Sequence, residues 1–527
     1  MAELSLSDAF QLSGEWYLPD DKSRLIPGQI HYSQERTELH LNEAFLPVSG
    51  TVRAADEVPA YPVIHGLTTK SQAVTILGAQ RAGISVNFGS GGMRQSERVI
   101  ASWLLIGAHV EAEATFPEVQ LRIPGLQVWL SKPTVKESSE IHAETGGFSH
   151  SLRILHPPED SIRVPSINAT VKFDIRCTST SDHFSATVTS AAWVSIRPDT
   201  PQTIGWYMEQ QGKLAPLLAF LAGTPMSPDC IVAATDDPLR DVSVLVTMRD
   251  VRYCTYTNLS EFFMIRGAMD IELSTVIASW FELYARVQMP SQLALSVLAS
   301  EKLWLHVEFL SLIQSLEGFH RGLYAGNYMP DSDYERVKKS LGDAIPDDIG
   351  RDHRDSLRSR IRYGNQISLR KRLDALTEIL PIPIRRAILG ADGKIPRAWI
   401  DTRNYYTHWD EELRVNVLDG QQQYVANARM RHLLRALYLQ RVGIPEVAIL
   451  RSLFNTSSAS QHLMQINAID ARRRNPDDAS GVIMTVGEVG PKPEISRADG
   501  DPPQPGPVAD SWLRRLFARC GSRRRSA

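Results

Sequence analysis

The residues best suited to chemistry lie in one short run, Arg403-Asn404-Tyr405-Tyr406-Thr407-His408. Arginine presents a planar fork of donors that matches a phosphate and stays charged at any working pH. Histidine titrates near neutrality, so it can give or take a proton. Asparagine donates and accepts hydrogen bonds without adding charge. Together the three suit phosphodiester cleavage without a metal. A looser Arg-to-His spacing also occurs at Arg24/His31 and Arg176/His183, both in strand-like sequence and neither with a following Asn. Taken alone, Arg403 and His408 fit a catalytic pair and an ordinary helix surface equally well.

On a straight helix Asn404 and His408 share a face. Arg403 and His408, five residues apart, lie about 140° apart around the axis. One regular helix therefore does not aim all three at one phosphate.

The elements that must position this run are helical. Pro396 suits a first-turn proline, and the helix is expected from about 396 to 413. Upstream, Leu293 to Leu316 carries apolar residues at three-and-four spacing, with Leu303, Val307, Leu310 and Ile313 on one face, and reads as one buried helix. It ends in a polar cluster of Glu317, His320 and Arg321. Glu317 there suits pairing with Arg403 or orienting His408; a solvated or capping role is the alternative. Asp347 to Leu380 reads as helical and Arg-rich, with Arg362, Arg370 and Arg372 as candidate backbone contacts to RNA or simply an exposed face. Tyr405 and Tyr406 suit base stacking or packing. Gln421 to Arg441 is the last strong helix, with a short one near 446–453.

The first 200 or so residues read as strands. Val119–Ile123, Leu126–Leu130, Ala169–Ile175 and Phe184–Val188 alternate apolar with polar residues, with Trp129 the exception. Pro27-Gly28, Gly89-Ser-Gly-Gly92 and Pro157-Pro158 read as turns. Gly89–Gly92 lacks the lysine of a phosphate loop. A helix is expected over 204–222, with strands resuming at Val242–Met248. Met289-Pro290 marks the end of this half.

At 527 residues the chain is long enough for two or three domains. A net charge of −3 gives no global signature of nucleic-acid binding, so any RNA contact must be local. Cys177, Cys230, Cys254 and Cys520 are scattered without a C-x-x-C pair, which leaves zinc unsupported and suits a reducing cytoplasm. There is no secretory leader pattern and no apolar run long enough to span a membrane. Residues 476–527 read as a disordered linker followed by a basic tail at 511–525.

Arg403-Asn404-x-x-x-His408 resembles the Arg-x4–6-His motif of HEPN-domain ribonucleases. With Phe309–Arg321 and Ile367–Leu373, the stretch from about 295 to 475 is similar to the HEPN domain of ApeA-type anti-phage defence proteins. Gly14-Glu-Trp-Tyr-Leu-Pro19 resembles the domain preceding it. The resemblance implies an α+β chain: a β-rich sensor or regulatory domain (1–290), an all-α HEPN bundle (291–475) and the tail. It implies a cytoplasmic, metal-independent endoribonuclease of abortive infection that needs no cofactor. Arg403, Asn404, His408 and Glu317 would be catalytic. RNA, tRNA included, would be the substrate, a phage-derived signal the trigger, and a homodimer through the HEPN domain the assembly. The alternative is a non-catalytic HEPN scaffold for RNA or protein.

Overall fold

The computed structural model describes residues 4–47, 58–89, 92–141, 147–235, 241–247, 251–300, 302–455 and 457–474. The expected linker and basic tail lie outside the described residues. The first strands are β1 (Phe10–Tyr17), β2 (Ile26–Ser33), β3 (Arg36–Leu41), β4 (Ala60–Thr68), β5 (Ala73–Gly89) and β6 (Gly92–Ile100). Then come β7 (Trp103–Ile106), β8 (Thr115–Phe116), β9 (Glu118–Arg122), β10 (Val135–Ile141), β11 (Phe148–Ile154) and β12 (Asp160–Val164). The last are β13 (Ala169–Ser181), β14 (Ala186–Pro198), β15 (Gln202–Thr203), β16 (Cys230–Ala234) and β17 (Val242–Val246).

These strands pair antiparallel throughout. The ring β5-β4-β1-β2-β3-β6 closes because β5 also pairs with β6, with Gly89 opposite Gly92. That pairing fits the hairpin expected at this glycine run. From β5 an arm runs out through β7, β17, β16, β9, β14 and β13 to β12. One long strand serves both parts: β5 pairs with β7 over Val74–Leu77 and with β6 over Gln80–Gly89, with a register shift between Arg81 and Gly83. Such a bulge bends a strand enough to turn a sheet corner.

Inside the barrel, Trp16, Ile30, Leu39, Ile64 and Val99 are buried. Glu97 is buried among them as a fully bonded acid. It accepts from the Phe45 amide at 2.8 Å, Tyr61 Oη at 2.6 Å and Arg81 Nε at 2.7 Å. A buried carboxylate persists only with such partners. Pro27-Gly28 is no turn. It lies within β2, where a Cβ on Gly28 would come within 2.6 Å of the His40 carbonyl oxygen on β3. The glycine serves a close strand approach.

The helices are α1 (Leu126–Leu130), α2 (Ile204–Ala222), α3 (Leu273–Ala299), α4 (Leu305–Leu323), α5 (Asp331–Asp343) and α6 (Arg351–Arg362). They continue with α7 (Leu369–Ile379), α8 (Ile382–Leu389), α9 (Arg397–His408), α10 (Gly420–Arg441), α11 (Glu446–Asn455) and α12 (Ser457–Arg474). The β-rich region followed by this helical region is the α+β arrangement expected. Leu126–Leu130 is a helical turn and not a strand. Leu126, Trp129 and Leu130 are its buried residues, at helical spacing, and Trp129 Nε1 donates to the Met264 carbonyl at 2.8 Å.

Leu293–Leu316 is not one helix either. One helix ends at Ala299 and the next begins at Leu305, and between them the polar residues Ser300 and Lys302 interrupt the apolar pattern of the sequence. Val307 faces solvent. Pro290 kinks α3 without ending it. Val287 leaves helical geometry (φ −126°, ψ 24°), as a proline inside a helix requires of the preceding turn. Side chains bond to backbone around the kink: Ser291 Oγ donates to Val287 O at 2.7 Å, and Ser315 Oγ to Pro290 O at 2.7 Å. Gly322 of α4 lies against the Arg286 carbonyl, where a Cβ would collide.

Strands and helices share one hydrophobic core. At its centre runs α10, buried on nearly every face. It carries a buried base, His432, whose Nε2 lies 3.2 Å from His462 Nδ1 and whose Nδ1 has no hydrogen-bond partner among the described residues. Burial, then the charges of Arg435 and neighbouring groups, lowers its pKa well below the ordinary 6.5. The unfolded chain therefore binds the proton more readily. This contribution to stability is complete above 6.5 and is lost as pH falls below that value towards the folded-state pKa. Urea midpoints measured at about pH 7.5 and about pH 5.5 should fall with acid, and fall less in His432→Gln. Equal acid sensitivity in both proteins would refute this assignment.

Candidate active site

Helix α9 begins after Pro396, which is its N-cap, and ends earlier than expected. Trp409 adopts a left-handed conformation (φ 53°), and a 3₁₀ segment, Glu411–Asn416, follows. The return is fixed by the Leu418 amide, which donates to Thr402 Oγ1 at 2.9 Å. Trp399, Asp401 and Thr402 point inward, leaving the Arg403–His408 turn at the edge of the bundle.

Arg403 is half-buried and meets α4. Its Nη2 donates to Glu317 Oε2 at 3.5 Å, and its Nη1 to Asn404 Oδ1 at 3.2 Å. Glu317 is itself buried and takes Arg321 Nε and Nη2 on its other oxygen, at 3.0 and 2.9 Å. One carboxylate thus ties two guanidinium groups from two helices, and the expected pairing of Glu317 with Arg403 is present. His408 is exposed in the last turn of α9 and makes no hydrogen bond or ion pair with the described residues. The structure brings Arg403, Asn404 and Glu317 together and leaves His408 without a bond to any of them; helix geometry accounts for the separation of His408 from Arg403.

The tyrosines pack more than they project. Tyr405 lies edge-on to Trp409 at 5.8 Å and to Tyr406 at 5.6 Å. Tyr406 Oη accepts from Gln423 Nε2 at 2.6 Å. Among the arginines, Arg362 is exposed at the end of α6, and Arg370 is paired with Asp374 at 2.8 Å. Arg372 is a correction to the surface reading. It is buried, with Nη1 3.3 Å from His320 Nδ1 and Nη2 donating to Gly326 O at 3.2 Å. It is placed to brace the loop after α4 and is not presented to RNA. His320, a member of the expected polar cluster, is buried against this brace. Burial, then Arg372 and Arg321, lowers its pKa, against the raising pull of Glu317.

Sequence reasoning missed the open groove beside Arg403, about 360 Å³, which also touches Leu293 of α3 and Thr407 of α9. Its only sequence signal was the i, i+4 relation of Arg403 and Thr407. Among the described residues no group of three or more His, Cys, Asp or Glu is placed to hold a metal ion. No helix among them is long and apolar enough to cross a membrane.

Two family models match the chain: ApeA N-terminal domain 1 over residues 11–239, and Apea-like HEPN over residues 310–447. The second contains α9 and its Arg-Asn-x-x-x-His run. No curated protein and no solved structure gives a significant match. With both regions matched in this order, the chain belongs to the ApeA-like proteins with a C-terminal HEPN domain, a nuclease-type family of anti-phage defence.

Proposed function

We propose that the chain is a metal-independent endoribonuclease of the infected cell's cytoplasm. The 2′-hydroxyl of RNA attacks the adjacent phosphorus, and the 5′-oxygen of the next nucleotide leaves. The products are a 2′,3′-cyclic phosphate and a 5′-hydroxyl. His408 takes the 2′-hydroxyl proton or supplies one to the leaving oxygen. Arg403 stabilises charge growing on the phosphoryl oxygens, Asn404 orients the phosphate, and Glu317 holds Arg403 in place. In this reading Tyr405, Tyr406, Arg362 and Arg370 contact the RNA beyond the scissile phosphate.

The observation that carries this reading is the division of the motif. Arg403 is anchored by a buried carboxylate, while His408 is exposed and uncommitted one turn away. Since one α9 does not bring both to one phosphate, the site is completed by a second copy across a two-fold interface. In this reading residues 1–290 sense a phage-derived signal and 291–475 cut RNA, tRNA among the targets.

The separation of Arg403 from His408 also gives the second reading its ground, a scaffold that binds RNA without cutting it. Purified chain should be incubated with labelled RNA, and with the matching DNA, in excess chelator. The proposal expects RNA fragments ending in cyclic phosphate and intact DNA, which lacks the nucleophile. RNA retained but uncut would favour the scaffold.

A further inference from the structure

The groove beside Arg403 has a composition that neither the motif nor the family match explains. Its floor is apolar: Leu293 beyond the kink of α3, with Leu310 and Ile313 of α4. Its rim is polar. Ser311 and Gln314 border it, and neither makes a hydrogen bond within the described protein. Arg403 and Thr407 close one end from successive turns of α9. Thr407 Oγ1 is committed to the Arg403 carbonyl at 2.8 Å, so its methyl group is what extends the apolar wall. Arg403 spends donors on Asn404 and Glu317, and its remaining guanidinium donors stay available.

We infer that this groove is a nucleobase subsite, holding the base next to the phosphate that Arg403 contacts. The inference rests on the ribonuclease reading above and deepens it. Three features meet the three parts of one nucleotide. An apolar floor takes the face of a base. The Gln314 amide, with donor and acceptor together, can read a base edge. The guanidinium takes the phosphate. At about 360 Å³ the space lies at the small end of ligand pockets and suits a single nucleoside. Glu317 is one carboxylate between two guanidinium groups, so positive charge remains at Arg403, and a nucleotide's phosphate complements it.

The test uses the full chain and short DNA strands carrying one ribonucleotide, which fixes the scissile phosphate. The base on either side of that phosphate is varied among the four, or omitted. On wild type, omission on one side should lower kcat/KM by about 10-fold or more, from the loss of one base contact. Leu310→Trp fills the groove, and the penalty for omission should vanish in it. Gln314→Ala removes an exposed side chain that supports nothing in the fold. It should reduce discrimination among the four bases by about 5- to 10-fold.

Wild type that cleaves with indifference to both flanking bases overturns the subsite and leaves the ribonuclease standing. An omission penalty unchanged in Leu310→Trp, with base preference unchanged in Gln314→Ala, overturns it too. A shift of Leu310→Trp to a smaller species in sedimentation, without a change in base dependence, would identify the groove as a contact between copies instead. Failure of wild type to cleave at any ribonucleotide, both alone and in extract from infected cells, removes the ribonuclease reading itself, and the subsite with it.

Discussion

His408→Ala is expected to lower RNA cleavage by about 10²- to 10⁴-fold, the range that a positioned acid or base contributes. The same change should leave stability within about 0.5 kcal/mol, because the imidazole is exposed and bonds to none of the described residues. That separation makes the substitution informative. Arg403→Ala should also abolish most cleavage, but it removes one of the two guanidinium partners of a buried carboxylate. Some of its effect would then be structural. Single-turnover rates on a labelled strand, beside thermal melts of the same preparations, separate the two cases. A His408→Ala protein that cuts RNA at the wild-type rate would end the proposed mechanism.

Tyr438→Ala is expected to cost about 3–5 kcal/mol, the range for deleting a buried aromatic ring. Tyr438 is fully buried on α10. Its ring stacks on Phe220 of α2 at 4.4 Å and meets Phe319 of α4 at 4.7 Å and Trp280 of α3 at 5.8 Å. Its hydroxyl hydrogen-bonds the Ser291 hydroxyl at 3.1 Å. Phe220 lies in the N-terminal family match and Phe319 in the C-terminal one, so the loss falls on both at once. Chemical denaturation followed by far-ultraviolet circular dichroism and by tryptophan fluorescence should show one transition, moved equally in both signals. Tyr438→Phe keeps the ring and should cost only about 1 kcal/mol, for one hydrogen bond. A variant in which only one signal moves would mean that the two regions unfold independently.

What the sequence revealed depended on how local the cause was. The alternation in Ala169–Ile175 was legible because one face of β13 is buried and the other is not. The Leu126–Leu130 error came from the same rule. Trp129 broke the alternation, and that exception marked a helical turn with Leu126, Trp129 and Leu130 buried. Closure of the barrel was illegible. It needs β3 to pair with β6, and β5 to turn through a bulge, and both are long-range matters of register.

At the site, Arg403, Asn404 and His408 announced themselves by type and spacing. The pairing of Glu317 with Arg403 was foreseen only as one option, since 86 residues separate them. Arg372 misled because it sits in a basic run. Its burial is decided by His320 and the Gly326 carbonyl, which no neighbour in sequence reveals.

The kink in α3 gives the molecule a mechanical joint. The helix packs on α2, β12 and the 3₁₀ turn at Pro165–Ile167, and beyond the kink at Val287 its Leu293 reaches the groove beside Arg403. From Val287 to Ala299 the far arm is about 18 Å long at 1.5 Å per residue. A swing of about 5° at the joint would move its tip by about 1.5 Å, and Leu293, halfway along, by about half as much. Packed interiors resist such shifts until they switch between discrete arrangements. A push along α3 would thereby be carried, past a proline, to the width of the groove beside Arg403.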